Sequence, residues 1–312
     1  MDRPRTLIRH SDGAEERLPH AQRAIQVARG AAGNSAWATP RLGLRSSVTR
    51  LLLGPCRPCL TLLFTGCGGN NAVGRFADEL KNEDPQTRYQ AAKSLSKAGA
   101  DAKDAVPQLA QALSDNDPKV RYRAVQSLSK VGGDIEAAIP ALTQALSDRD
   151  PRVRYYAAKS LSGVGPTAEK AVPALAQVLR DSDPKTRYYA TKALSKIGPP
   201  ALPAVPALVV TLKDQDAKVR QYAAKSLAAI APEGAQAAAA VPALTQAMND
   251  GDPKVRYYAA RALGKIKAYA MSAVPALNAA LNDGDQAVRA AAADALERIK
   301  RPPSSQAATN LK

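Results

Sequence analysis

From Asp84 onward, apolar residues recur at helical spacing in blocks that repeat every 33 residues. In the third block Val153, Ala157, Ser160, Leu161 and Val164 fall at i, i+4, i+7, i+8 and i+11, one stripe of a 3.6-residue helix. Each stripe follows the motif Asp-Pro-x-[Val/Thr]-Arg-[Tyr/Gln]. The motif begins at Asp84, Asp117, Asp150, Asp183, Asp216 and Asp252, with Ala217 in place of Pro once and a worn copy at Asp285. The aspartate suits a helix N-cap and the proline the first helical position, where a missing N–H costs nothing. Gly99, Gly132, Gly165 and Gly198 then stop four of these helices. After a short loop, a Val/Ile-Pro step at Val106, Ile139, Val172, Val205, Val241 and Val274 opens a second, shorter helix.

Successive Asp motifs are separated by 33, 33, 33, 33, 36 and 33 residues, and the Val-Pro ladder keeps the same phase. The longer step is one three-residue insertion between Ala228 and Val241. Two ladders in fixed phase predict an array of helical hairpins in which each unit buries its stripe against its neighbours. With a helix from Arg75 to Lys81 as partner of the one at Asp84, the array has seven hairpins, fourteen helices and no strand signal. At the usual 8–10 Å helix spacing it would extend roughly 60–70 Å.

A 33-residue period also suits ankyrin repeats, and 34 suits tetratricopeptide repeats, but the Thr-Pro-Leu-His and Trp-Leu-Gly-Tyr signatures are absent. The run from Val172 to Gly198 reads Val-Pro-Ala-Leu-Ala-Gln-Val-Leu-Arg-Asp-Ser-Asp-Pro-Lys-Thr-Arg-Tyr-Tyr-Ala-Thr-Lys-Ala-Leu-Ser-Lys-Ile-Gly. It resembles the short HEAT repeat of the phycobilin-lyase-like type, over residues 72 to 300. That resemblance implies an all-α, right-handed α-solenoid of about seven hairpins whose second helices line the concave side. For function it is broad, because the family includes scaffolds and cofactor-protein lyases.

With the motif Val at 0° and 100° per residue, the apolar stripe centres near about 20–30°, and positions −1, +6 and +10 cluster near about 260°. Those positions hold Lys119 and Lys130, Arg152 and Lys159, Lys185, Lys192 and Lys196, Lys218 and Lys225, and Lys254, Arg261 and Lys265. Beside this basic column, positions +2 and +3 carry Tyr89, Tyr122, Tyr155, Tyr156, Tyr188, Tyr189, Tyr222, Tyr257 and Tyr258, nine of the ten tyrosines. The pattern fades at Ala287, Ala290, Ala291 and Asp294, as a terminal repeat requires. One reading has each tyrosine covering the seam to the next hairpin, with lysine as a surface helix former. The other has the column as a groove for an extended anionic partner. The arginine at +1, from Arg88 to Arg289, is expected to bridge to the capping aspartates of adjacent hairpins.

Composition divides the chain. Residues 1 to 66 hold 10 Arg and no Lys, whereas residues 67 to 312 hold 19 Lys and 15 Arg, with 24 acidic residues. At the seam Arg50 precedes an apolar run that ends Leu63-Phe-Thr-Gly-Cys67. This end resembles the lipobox of bacterial lipoproteins, with Phe64 where Leu is usual, and the resemblance implies diacylglycerol attachment at Cys67 and a place in the cell envelope. The expected organisation is an extension at 1–47, outside a true start near Val48, a signal segment at 48–66, a tether at 67–71, the solenoid at 72–300 and a disordered tail at 301–312.

Beyond Cys67 the chain has no His, Cys or Trp. Cys/His nucleophilic chemistry and nearly all zinc sites are thereby excluded from the repeats, and Cys56-Arg-Pro-Cys59 is a lone pair within the signal segment. We expect no enzyme activity, no cofactor and no metal. The expected partner is an acidic or extended protein, with an anionic membrane surface favoured by the lipid and by the net +10 charge of residues 67–312. The alternatives are a cytosolic lyase-like or chaperone-like protein and a nucleic-acid-binding solenoid.

Overall fold

The computed structural model describes residues 69–230 and 238–301, all within the second of two compact units, Phe64–Lys312. Among the described residues there are fourteen α-helices and no strand. Short and long helices alternate. The first of each hairpin is α1 (Gly69–Glu79), α3 (Val106–Gln111), α5 (Ile139–Ala145), α7 (Val172–Val178), α9 (Val205–Thr211), α11 (Val241–Ala247) or α13 (Val274–Ala279). The second is α2 (Pro85–Ala98), α4 (Pro118–Val131), α6 (Pro151–Val164), α8 (Pro184–Ile197), α10 (Ala217–Ile230), α12 (Pro253–Ile266) or α14 (Gln286–Lys300). No described helix is long and apolar enough to cross a membrane.

The long helices start as their sequences dictate. Asp84, Asp117, Asp150, Asp183, Asp216, Asp252 and Asp285 each accept a backbone N–H from the first turn. Each such cap contributes about 1 kcal/mol. Asp216 caps equally well in front of Ala217, so the carboxylate rather than the proline sets the start. Four long helices end on Gly99, Gly132, Gly165 and Gly198 at φ of 61°, 96°, 81° and 74°, a backbone region that side chains disfavour. In the sixth hairpin Lys267 occupies this place at φ 56°.

Three of these glycines lead straight into a 3-10 turn rather than the expected loop, at Gly99–Ala105, Gly165–Ala171 and Pro199–Ala204, whereas after Gly132 only Glu136–Ala138 is 3-10. The cause of the longer turns is an alanine pair three residues apart, which a 3-10 helix places on one side. Ala102 with Ala105, Ala168 with Ala171, Ala201 with Ala204, and Ala270 with Ala273 are all fully buried.

Consecutive long helices pack side by side from α2 to α14, and each short helix lies against its own long one. Leu109, Leu142, Leu175, Leu208, Leu244 and Leu277 of the short helices meet Leu95, Leu128, Leu161, Leu194 and Leu263 of the long ones in one continuous core. Each fully buried leucine contributes about 2 kcal/mol. The buried stripe is wider than its spacing suggests: Ala158 and Ser162 join it while Val164 is half-buried. An inner helix has a neighbour on either side as well as its partner. Two of the buried serines bond across the seam, while Ser162 bonds to the Lys159 carbonyl of its own helix. Ser127 Oγ donates to the Ala92 carbonyl and Ser226 Oγ to the Thr191 carbonyl, both at 2.8 Å.

Helix α1 begins at Gly69, so residues 69–71 of the expected tether are helical. The extension at 1–47, the signal segment at 48–66, Cys67, residues 231–237 within the insertion and the tail from 302 lie outside the described residues.

Two substitutions at the end of α12 have opposite expected signs. A methyl group on Gly264 would come within 2.8 Å of Ala295 Cα on α14. Gly264→Ala should therefore destabilise by about 1–3 kcal/mol in spite of its better helix propensity. Lys267→Gly should stabilise by about 1 kcal/mol by relieving the positive φ. Urea unfolding of the two variants against the parent chain checks both.

Candidate interaction surface

The arginine of each motif joins two hairpins. Arg88, Arg121, Arg154, Arg187, Arg220 and Arg256 grip Asp115, Asp148, Asp181, Asp214, Asp250 and Asp283 of the following hairpin, with closest N···O distances of 2.6–2.7 Å. Both guanidinium edge nitrogens take part, as in Arg187 Nε and Nη2 on the two oxygens of Asp214. The third nitrogen donates to two carbonyls of the arginine's own turn, such as Asp181 and Ser182 for Arg187. The expected partners were the capping aspartates. The observed ones stand two residues earlier in the recurring Asp-x-Asp, and each also accepts the capping residue's amide, as Asp214 does from Asp216. The cap is already committed to its helix, which leaves the earlier carboxylate for the arginine.

The tyrosines form a second line across the long helices. Ring centroids lie 5.8 Å apart for Tyr122 and Tyr156, 4.8 Å for Tyr156 and Tyr155, and 5.4 Å for Tyr155 and Tyr189. The line continues at 4.9 Å from Tyr189 to Tyr188 and 4.9 Å from Tyr188 to Tyr222. All these pairs meet edge to face, as their quadrupoles prefer. Arg123 extends the line to Tyr89 by stacking between that ring and Tyr122 at 5.3 and 5.2 Å. Lys225 extends it the other way, 5.1 Å from Tyr222 and 5.7 Å from Tyr258, which touches Tyr257 at 5.0 Å. The nine tyrosines are half-buried, so they cover the seams between hairpins. Burial pushes the Tyr155 phenol up to about 12, helped by Tyr189. Burial does the same to Tyr188, helped by Tyr222, and both stay neutral hydroxyls at ordinary pH.

The cations divide into two groups. Lys159 lies 5.5 Å from Tyr156, Lys192 5.5 Å from Tyr189, Arg261 5.6 Å from Tyr257 and Arg152 4.7 Å from Tyr122. Lys119, Lys185 and Lys254 stay exposed near the helix starts and make no ring contact among the described residues. Arg152 is also paired with Asp150 at 2.7 Å. Beside it, Tyr122, Pro151, Tyr155, Tyr156, Asp183 and Lys185 surround an open hollow of about 540 Å³. Two residues outside the sequence-based site belong to the line: Arg123, and Gln126, whose amide donates to the Tyr122 and Tyr156 hydroxyls at 3.2 Å. The signal for Arg123 was its position at +3, where later copies hold tyrosine.

The carboxylates of the Arg–Asp ladder set an acid limit to stability. Burial alone would raise Asp115, Asp181, Asp214 and Asp250, but the arginine and the capping amide outweigh it and hold each carboxyl below its ordinary value. A carboxyl depressed in the folded chain stabilises fully above the unfolded value of about 3.9 and loses that contribution as pH falls through the folded value. The melting temperature should thus be flat from about pH 7 to 5 and fall steeply below about pH 4. Asp214→Ala should cost about 2 kcal/mol at pH 7 and lose most of its effect in acid. Circular dichroism melts across pH check both.

Sequence profiles of HEAT repeats match the chain at residues 75–162, 139–209, 172–246, 205–297 and 241–312. No curated protein matches in sequence. Among solved structures, an engineered protein from the Northeast Structural Genomics Consortium is similar at 26% identity and a TM-score of 0.66, over 74% of this chain and 69% of that one. A second engineered protein from the same consortium reaches 25% identity and 0.51, over 74% and 97%. A designed armadillo repeat protein is similar in fold at 18% identity and 0.50, over 73% and 99%. With overlapping matches along most of its length and hairpins stacked in one line, the chain belongs to the HEAT-repeat family.

Proposed function

We propose that this protein is a non-enzymatic interaction scaffold, anchored by lipid at Cys67, that holds an extended anionic partner on the cation row of its long helices. One observation carries the reading. Lys159, Lys192, Lys225 and Arg261 recur one per hairpin, each 5.1–5.6 Å from a ring of the tyrosine seam. A lysine whose ammonium is held over a ring has fewer places to occupy, so less side-chain entropy is lost when a carboxylate arrives. The tyrosines serve as the bed for these cations more than as contact area of their own. Nucleic-acid binding is the weaker reading, because stacking bases needs open aromatic faces. Here neighbouring ring edges and cations already occupy them.

Lipid at Cys67 would place a basic solenoid beside anionic headgroups, where one acyl signal is reinforced by charge. Cells labelled with palmitate should show the label in the parent chain and not in Cys67→Ser, with the variant moving to the aqueous phase of a detergent partition. Label that persists in the variant ends the anchoring proposal. For the surface, Lys192→Gln with Lys225→Gln should weaken capture of a poly-glutamate peptide about tenfold. Lys170→Gln with Lys213→Gln, exposed elsewhere, should leave it within about twofold. Equal losses from the two pairs would remove the cation row from the function.

A further inference from the structure

The cation row has a period and two ends. Lys159, Lys192 and Lys225 sit in three successive hairpins, each 5.1–5.5 Å from the ring three residues before it. Arg261 continues them in the fourth, over Tyr257. The rings set an upper limit to the repeat distance: Tyr155 to Tyr189 is 5.4 Å and Tyr189 to Tyr188 is 4.9 Å. Equivalent rings one hairpin apart are therefore separated by no more than about 10 Å, in keeping with helix packing. On one side the row is interrupted at Gln126, which is bonded to two tyrosine hydroxyls and to Arg123, with Lys93 at the same place one hairpin earlier. On the other side Asp294 holds the equivalent place and pairs with Arg298 at 2.9 Å.

Few backbone conformations put acidic side chains on one side at such a period. An extended β-strand presents one face every second residue, about 6.6 Å, and turns its third residue to the opposite face. An α-helix returns after seven residues, about 10.5 Å, but drifts about 20° per heptad, so a fourth acid stands about 60° off the line. Polyproline II has three residues per turn and a rise of about 3.1 Å, which brings every third side chain back to one side at about 9.3 Å.

We propose that the row takes a polyproline II segment of a partner protein with an acidic residue at every third position, four acids in about ten residues. One acid meets each of Lys159, Lys192, Lys225 and Arg261. At one end Gln126 is bonded to Arg123, whose guanidinium is engaged between Tyr89 and Tyr122, and at the other Asp294 repels a fifth acid. Each contact is weak alone, because exposed ion pairs contribute little. Four in phase gain from the effective concentration that the first contact supplies. This inference rests on the acidic partner proposed above, and it adds the partner's backbone and spacing.

The test uses the full chain and three labelled peptides of equal charge, four repeats each of Glu-Pro, Glu-Pro-Pro and Glu-Pro-Pro-Pro, with binding read by fluorescence anisotropy at about 0.15 M salt. Glu-Pro-Pro should bind about tenfold more tightly than either other peptide. Lys192→Gln with Lys225→Gln should remove that preference, and so should Arg261→Gln with Lys159→Gln, while melting curves report that each variant is folded. Equal affinity for the three peptides, or tighter binding of another spacing, overturns the register and leaves the anionic reading standing. Binding by none of them overturns both.

Discussion

No hairpin of this chain can cover its own apolar stripe, and every other feature of the structure follows from that. Val153, Ala157, Ala158 and Leu161 are fully buried because α6 is packed between α4 and α8. Burial is attractive without being directional, so it favours stacking but leaves neighbouring helices free to slide or rotate. The Arg–Asp bridges supply the missing direction. A planar fork that grips both oxygens of one carboxylate tolerates little displacement, and its third nitrogen is tied to the turn that carries it. Six such bridges, one at each junction, place every hairpin on the next in the same way.

That regularity makes a repeated surface possible. A side chain at one motif position recurs at one spacing only when junctions are alike, and the tyrosine line shows that they are. Its edge-to-face contacts run without a break from Tyr122 to Tyr222. Where a tyrosine is missing, at Arg123 and Gln221, a cation or the next ring keeps the line continuous. The same rings fix the lysines that lie over them. Seam and display surface are therefore one structure. The seam-covering reading of the tyrosines describes its inner side, and the proposed groove would use its outer side.

The ends of the array are built differently from its middle. Asn82 takes the place that Asp115 and its successors hold in later hairpins, and it still accepts the amide of the capping Asp84. At the other end Arg289 donates to the carbonyls of Asp283 and Gly284 in its own turn. Asp294 and Arg298 form a pair on the exposed side of α14.

Much of this was legible in the sequence because it depends on neighbours along the chain. The caps at Asp84 to Asp285, the stops at Gly99 to Gly198, the count of hairpins and the column of lysines all follow from local spacing and the geometry of one helix. The 3-10 connectors had a signal too, in alanines three residues apart such as Ala168 and Ala171, but three-residue spacing also suits an α-helix. What only the tertiary structure decided were the choices between equivalent partners. Two aspartates in every Asp-x-Asp suit an arginine, and the fold selects the first because the helix has already taken the second. Tyr155 reads equally well as exposed or covered until the next hairpin brings Tyr189 to 5.4 Å. Periodicity places a residue on a face; the distance to the neighbouring helix decides what that face touches.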